Sequence, residues 1–205
     1  MNIEVKKSVK PIDYSYTIKV LEQRVKDVHS GKKNELLWIL EHKTVYTAGT
    51  SSDDNDLINK KIKIYKVGRG GKHTLHSPGQ KVVYFVLDLN KREKDIRKLI
   101  RKIENCIIKI LQNYNIISYA DIKNIGIWVG NKRNSKKIAA IGIRVKKWIA
   151  FHGFSINISN DLSLYKNIVP CGIKNMRITS FKKLGVKKYA DINKIIKKNF
   201  LNSFL

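Results

Sequence analysis

Cys171, in the stretch IVPCGI, has the makings of a nucleophile. Glycine after the cysteine leaves the thiol accessible and the next backbone N–H free to donate. That arrangement suits attack on a carbonyl carbon with an oxyanion held alongside. The thiol needs a base or a cation nearby to form thiolate at neutral pH. His152 and many lysines are available, and spacing alone does not choose among them. A buried cysteine in a turn is the reading that the isolated PCG by itself favours. The second concentration of chemistry is RGGKHTLHSPGQ, Arg69 to Gln80. Gly70 and Gly71 permit positive φ or close approach of backbone to a ligand. Pro78-Gly79 is a turn. Thr74, His76 and Gln80 offer hydrogen bonds, and Arg69 a fixed charge. Such a loop can cradle a phosphate or a carbonyl-bearing substrate, yet it has neither the GxxxxGK[ST] nor the GxGxxG pattern. A structural hairpin loop fits its composition as well as a site does.

Elements of one domain must position these groups. The 205 residues suffice for one sizeable core, and 42% of them are hydrophobic, a globular composition. IDYSYTIKVLEQRVKDVHSG spaces Tyr14, Ile18, Leu21, Val25 and Val28 as a helix, with Gly31 as its stop. ELLWILEH reads as a buried strand, and TVYTAGTSSDDNDL as a loop. IKIYKV and KVVYFVLDL read as strands on either side of the glycine loop. REKDIRKLIRKIENCIIKILQNY is the clearest helix, with Ile96, Leu99, Ile100, Ile103, Ile107, Ile110 and Leu111 on one stripe. Cys106 beside that stripe reads as a packed thiol. IGIWVG, KKIAAIGIRV and WIAFHGFSINIS are three more strands, the first two joined by a GNKRNS hairpin. NDLSLYKNIVPCGIKN has turn chemistry, and DINKIIKKNFLNSFL closes the chain as an amphipathic helix. The pattern predicts a single α/β (α+β) domain over residues 1–205, a mostly antiparallel or mixed sheet with helices packed on it.

Forty-two lysines and arginines against 16 acidic residues give a net charge of +26. Lysines spread through every segment without an arginine-rich arm or a stacking motif argue for a general basic surface over a nucleic-acid site. Such a surface attracts acidic protein partners. No apolar run approaches a membrane span of roughly 18 residues, and MNIEVKKSVK is not a secretory signal. A cytoplasmic chain is expected. Cys106 and Cys171 form no CxxC pair, and no Cys, His and acidic cluster has metal-ligand spacing, so neither metal nor cofactor is expected.

Several blocks together resemble the lipoyl(octanoyl) transferases. RGGKHTLHSPGQ is similar to that family's RGGxxTxHxPGQ signature, with Lys72 and His73 in its variable positions. KIAAIGIRV (Lys137 to Val145), HGFSIN (His152 to Asn157), DLSLYKNIVPCGI and ITSFKKLG resemble its later blocks, and LLWILEHKTVYTAG its early strand and loop. Tyr165 stands where another aromatic, often Phe, is usual. The resemblance runs from about Leu36 to Gly185. It implies the fold of the biotin and lipoate protein ligases, a mixed β-sheet flanked by helices. It also implies transfer of an octanoyl group from octanoyl-acyl carrier protein to one lysine of a lipoyl domain, without ATP, metal or cofactor. The acceptors implied are the lipoyl domains of 2-oxoacid dehydrogenase complexes and the glycine cleavage H protein.

Carried over by position, Cys171 is the acyl-accepting nucleophile and Lys137 its partner. Arg69, Gly70, Gly71, Lys72, His73, Thr74, Leu75 and His76 line the acyl site, with Ala140, Ile141 and Gly142 and with Gly153, Phe154 and Ser155. His76 and His152 become site walls and neither is the base, while His42 and Asn157 are structural supports. An ATP-dependent lipoate–protein ligase of the same fold is the nearest rival, favoured less because of the PCG block. A basic nucleic-acid-binding module is the rival from another class.

Overall fold

The computed structural model describes residues 2–131, 133–172 and 177–205, with the Cys171 side chain left aside. Ten strands and three α-helices are formed among these residues. They are β1 (Ile3–Lys7), α1 (Tyr14–His29), β2 (Glu35–Leu40), β3 (Val45–Ala48), β4 (Ile64–Lys66), β5 (His73–His76), β6 (Gln80–Asp88), α2 (Ile96–Gln112), β7 (Ser118–Ala120), β8 (Ile127–Val129), β9 (Lys136–Lys146), β10 (Ile149–Asn157) and α3 (Ile192–Phe204). The main sheet runs β1-β2-β6-β10-β9-β8-β7, parallel between β1 and β2 and antiparallel elsewhere. A small sheet, β4-β3-β5, stands beside it. The fold is therefore a mixed α/β sheet flanked by helices, as the sequence predicts.

The central strands are apolar at nearly every position because both faces of the sheet are covered. Leu36, Trp38 and Leu40 of β2, with Val82, Tyr84 and Val86 of β6, meet Leu21, Val25 and Val28 of α1. The alternate residues Leu37, Ile39, Val83, Phe85 and Leu87 face Leu99, Ile103 and Ile107 of α2 and Ile196 and Phe200 of α3. Each fully buried aliphatic or aromatic side chain in these layers contributes roughly 1.5–3 kcal/mol. Cys106 sits fully buried in the second layer, and burial pushes its thiol up to about 12. That is the packed thiol expected. The helix starts carry capping aspartates: Asp13 accepts from Tyr16 N–H and Asp95 from Lys98 N–H, each at 3.0 Å. Gly31, at φ 72°, follows α1 as predicted.

The structure corrects the sequence expectations at two places and adds an element at a third. TVYT has the polar neighbours of a loop, but Val45–Ala48 is a strand, buried throughout and paired on both sides. The glycine stretch is not one continuous loop, because its middle, His73–His76, is a strand antiparallel to β3. Its ends do turn, with Gly71 at φ 87° and Gly79 at φ 83°. Ile3–Lys7, to which the sequence pattern assigns no element, forms an edge strand, with Lys6 Nζ 4.0 Å from the Trp38 ring centroid.

The β9–β10 hairpin carries two of the candidate blocks and sets them side by side. Lys147 and Trp148 form its turn at φ 51° and 61°, the positive angles of a two-residue primed turn. That turn fixes the register: Ala140 lies opposite Ser155, Gly142 opposite Gly153, and Arg144 opposite Phe151. β8 pairs with β9 at Lys136, Lys137 and Ala139. Further along, Gly70 N–H donates to Ile143 O at 3.1 Å, so the glycine stretch docks against the edge of β9.

Candidate functional site

A cavity of about 460 Å³ opens where the small sheet leans over β9, β10 and β6. The glycine stretch forms one wall, with Arg69, Gly70, Gly71, Lys72, His73, Thr74 and His76 all lining it. Lys137, Ala140, Ile141, Gly142, Gly153, Phe154 and Ser155 line it from the hairpin. Blocks far apart in sequence thus converge. Leu75 turns away instead, fully buried with Tyr46 and Ile168 in the small sheet's own core.

Arg69 anchors the wall from beneath. It is 8% exposed, and its guanidinium donates to Thr47 Oγ1 at 2.7 Å and to Gly70 O at 3.0 Å. A Cβ on Gly142 would lie 3.1 Å from Arg69 Cδ, and one on Gly153 would fall 2.0 Å from Val83 O. The cross-strand glycine pair is therefore required by close packing: Arg69 lies over Gly142, and the backbone of β6 lies against Gly153. Lys72 pairs with Asp56 at 2.9 Å, and its side chain lies where a Cβ on Gly172 would be.

Lys137 is a lysine in an unusual place, 6% exposed in the cavity wall. Its Nζ donates to Ile125 O at 2.8 Å and stands 5.2 Å from the Trp128 ring centroid. Its backbone pairs with residues 177–179, through N–H to Arg177 O at 2.9 Å and Thr179 N–H to Lys137 O at 3.0 Å. A smaller cavity of about 20 Å³ is lined by Thr74, Lys137, Ala140, Ser155 and Pro170, among others. Pro170–Gly172 forms a single 3-10 turn. The backbone of Cys171 is thus one residue from the wall that Lys137 shares. The segment Ile173 to Asn175, part of the turn region singled out in the sequence, lies outside the described residues.

Polar groups behind the cavity are tied together. His76 Nδ1 meets Gln80 Oε1 at 2.7 Å, and Gln80 Nε2 donates to Asn157 Oδ1 at 2.9 Å and Tyr165 Oη at 3.1 Å. Asn157 Nδ2 donates to Thr179 O at 3.1 Å. Asn157 is a structural support, as expected; Gln80, which the sequence offers as a group for a ligand, is turned inward to the same network. His42 donates through Nδ1 to Ile12 O at 3.0 Å, so its Nε2 accepts from the Tyr84 hydroxyl at 2.9 Å. His152 lines the cavity at 2% exposure, and its Nδ1 has no hydrogen-bond partner among the described residues.

Burial holds these imidazoles neutral. It depresses His42 to about 4, and His76 and His152 to about 3, with neighbouring cationic groups adding to the effect at His76 and His152. Unfolded histidines titrate near 6.5, so below that pH the unfolded chain binds more protons than the folded one. The histidines' contribution is complete above about pH 6.5 and is lost as pH falls, toward about 4 for His42 and about 3 for His76 and His152. Three such groups give a slope approaching about 4 kcal/mol per pH unit near pH 5. Urea midpoints at pH 7.5, 6.0 and 5.0 should drop steeply across that range. A flat profile would show that the imidazoles are not held neutral.

Tyr14, Val82, Tyr84 and Ile143 also line the cavity, and the sequence expectations place none of them there. Tyr84 offered a signal, a hydroxyl inside the otherwise apolar run VVYFVL. Tyr14 offered none, because it fits the helical stripe. Among the described residues, no three His, Cys, Asp or Glu side chains converge as metal ligands.

The pattern of the lipoyl protein ligase A/B catalytic domain matches residues 13–202. An octanoyltransferase of Wolbachia sp. subsp. Brugia malayi is 45% identical over 195 residues, covering 94% of this chain and 95% of its own. Among solved structures, a Thermoplasma acidophilum protein with bound lipoic acid superposes at a TM-score of 0.77 and 15% identity. The match covers 99% of this chain and 86% of that one. Lipoate-protein ligase A bound with ATP superposes at 0.73 and 13% identity, covering 98% and 85%. The two structures share the fold.

Proposed function

The chain belongs to the lipoyl protein ligase A/B catalytic family, among its octanoyltransferases, and on that footing we propose a two-step acyl transfer through Cys171. The enzyme is an acyltransferase. The donor is octanoyl-acyl carrier protein, and the acceptor is one lysine of a lipoyl domain in a 2-oxoacid dehydrogenase complex or the glycine cleavage H protein. Residues 1–205 form one catalytic domain, acting in the cytoplasm.

In the first step the Cys171 thiolate attacks the donor's thioester carbonyl. A new C–S bond forms, the old one breaks, and the carrier leaves as its thiolate, which takes a proton from water. One thioester replaces another, so the step is nearly balanced in energy. In the second step the acceptor's amine attacks, a C–N bond forms, and the Cys171 sulfur leaves. An amide is the more stable acyl group, so the sum runs downhill without ATP or metal. Lys137 acts twice. As an ammonium it favours the thiolate, and as an amine it takes the proton that the acceptor nitrogen must lose.

The observation that carries this reading is the buried Lys137 in a cavity wall completed by Pro170, the residue before Cys171. A lysine kept from solvent in a substrate-sized cavity has a purpose that a surface lysine lacks. The basic chain also suits acidic partners, whose approach it would speed at low salt. The test mixes the protein with octanoyl-acyl carrier protein and a lipoyl domain, with no nucleotide present. The acceptor should gain one octanoyl group. A strict need for ATP and free acid would assign the ligase chemistry instead.

A further inference from the structure

We propose that His152, stacked on Phe151, closes the far end of the acyl trough and sets the length of the chain accepted. The proposal rests on the acyl-transfer function and adds the element that selects the substrate.

Strand register divides the trough floor into three rows on the α1 face of the sheet. Ala140, Ser155 and Val82 form the first row, beside Lys137 and Pro170. Gly142, Gly153 and Tyr84 form the second, which lines the cavity with Arg69 lying over Gly142. Arg144, Phe151 and Val86 form the third, with the Arg144 guanidinium 5.7 Å from the Phe151 ring centroid. The first row is small, the second lacks side chains at its two glycines and still lines the cavity, and the third is bulky and lies outside the cavity lining.

His152 belongs by alternation to the opposite face, with Phe85 as its cross-strand partner. Its backbone instead adopts φ 68°, a left-handed angle uncommon for a residue with a side chain. That angle brings the ring to the trough side, stacked on Phe151 at 4.9 Å and edge-on to Tyr84 at 6.2 Å. The strained angle has one visible consequence, which is to place an imidazole across the trough behind the glycine row. Held neutral, that ring is a surface an alkyl terminus can meet without desolvating a charge.

The distances suit one chain length. From Ser155 to His152 is three residues, or about 10 Å of strand. Seven carbons beyond a thioester carbonyl, joined by zigzag bonds of about 1.5 Å, span about 9 Å. An octanoyl group with its carbonyl in the first row would therefore end against the His152 ring.

His152→Gly removes the ring and keeps a residue that accepts the positive φ. His152→Asn, also tolerant of that angle, shortens the wall by less. Acyl-enzyme formation is to be measured with eight-, ten- and twelve-carbon acyl-carrier thioesters, beside melting curves. For His152→Gly the ratio of ten-carbon to eight-carbon kcat/KM should rise about tenfold or more, with a smaller rise for His152→Asn. A merely structural histidine would lower every chain length alike, and an unchanged ratio in either folded variant overturns the proposal. The wild-type protein gives an independent check, since a flat profile from eight to twelve carbons also overturns it. Failure of the wild-type protein to take any acyl group would instead count against the acyl-transfer function itself.

Discussion

Cys171→Ala should abolish transfer of octanoyl from carrier to acceptor, with a loss of about 10⁴-fold or more in single-turnover rate. The size follows from covalent catalysis. Without the sulfur, the acceptor's amine must reach the donor thioester directly, and both proteins must then occupy one cavity mouth together. Cys171→Ala keeps the cavity volume almost unchanged, so the acyl group should still bind. Unaltered affinity for the donor with lost turnover is the signature to look for. Near-normal transfer by this variant would remove the thioester intermediate from the mechanism. Cys106 provides the contrast. It is a fully buried residue of α2, facing the core beside α3, with its thiol pushed up to about 12, so Cys106→Ala should leave transfer intact.

Lys137→Ala should cost about 10²–10⁴-fold, the range for a positioned acid–base group. The two half-reactions separate its two tasks. Lys137→Arg retains a cation that favours the thiolate but cannot give up its proton at ordinary pH. Acyl-enzyme formation should therefore recover in the arginine variant while aminolysis by the acceptor stays slow. Lys137→Ala should be slow in both. Because Lys137 Nζ also holds Ile125 O, melting curves must accompany the rates. Equal recovery of both steps by arginine would leave Lys137 as a charge and remove its proton transfer.

The central strands and the long helices were legible because their apolar residues repeat at periods of two and 3.6. Burial then placed the rest. The TVYT strand was hidden by the polar residues that come after it, although its β-branched and aromatic residues carried the signal. The convergence of the glycine stretch with the two later blocks was legible through resemblance to a family, not through spacing. Lys137 shows why: it is one of 42 lysines and arginines, and only its burial sets it apart. The opposition of Gly142 and Gly153 depends on a turn at Lys147 and Trp148, two residues with no turn preference that nevertheless adopt positive φ. The left-handed His152 is equally silent in sequence, because a histidine inside an apolar strand reads as a satisfied core group.

Every step of the mechanism depends on an acyl group reaching Cys171. Its most direct test is the intact mass of the protein after mixing with octanoyl-acyl carrier protein. A gain of one octanoyl group that hydroxylamine removes, and that Cys171→Ala fails to acquire, is the result expected. An unmodified mass in the presence of intact donor, or an adduct that persists in Cys171→Ala, would contradict it.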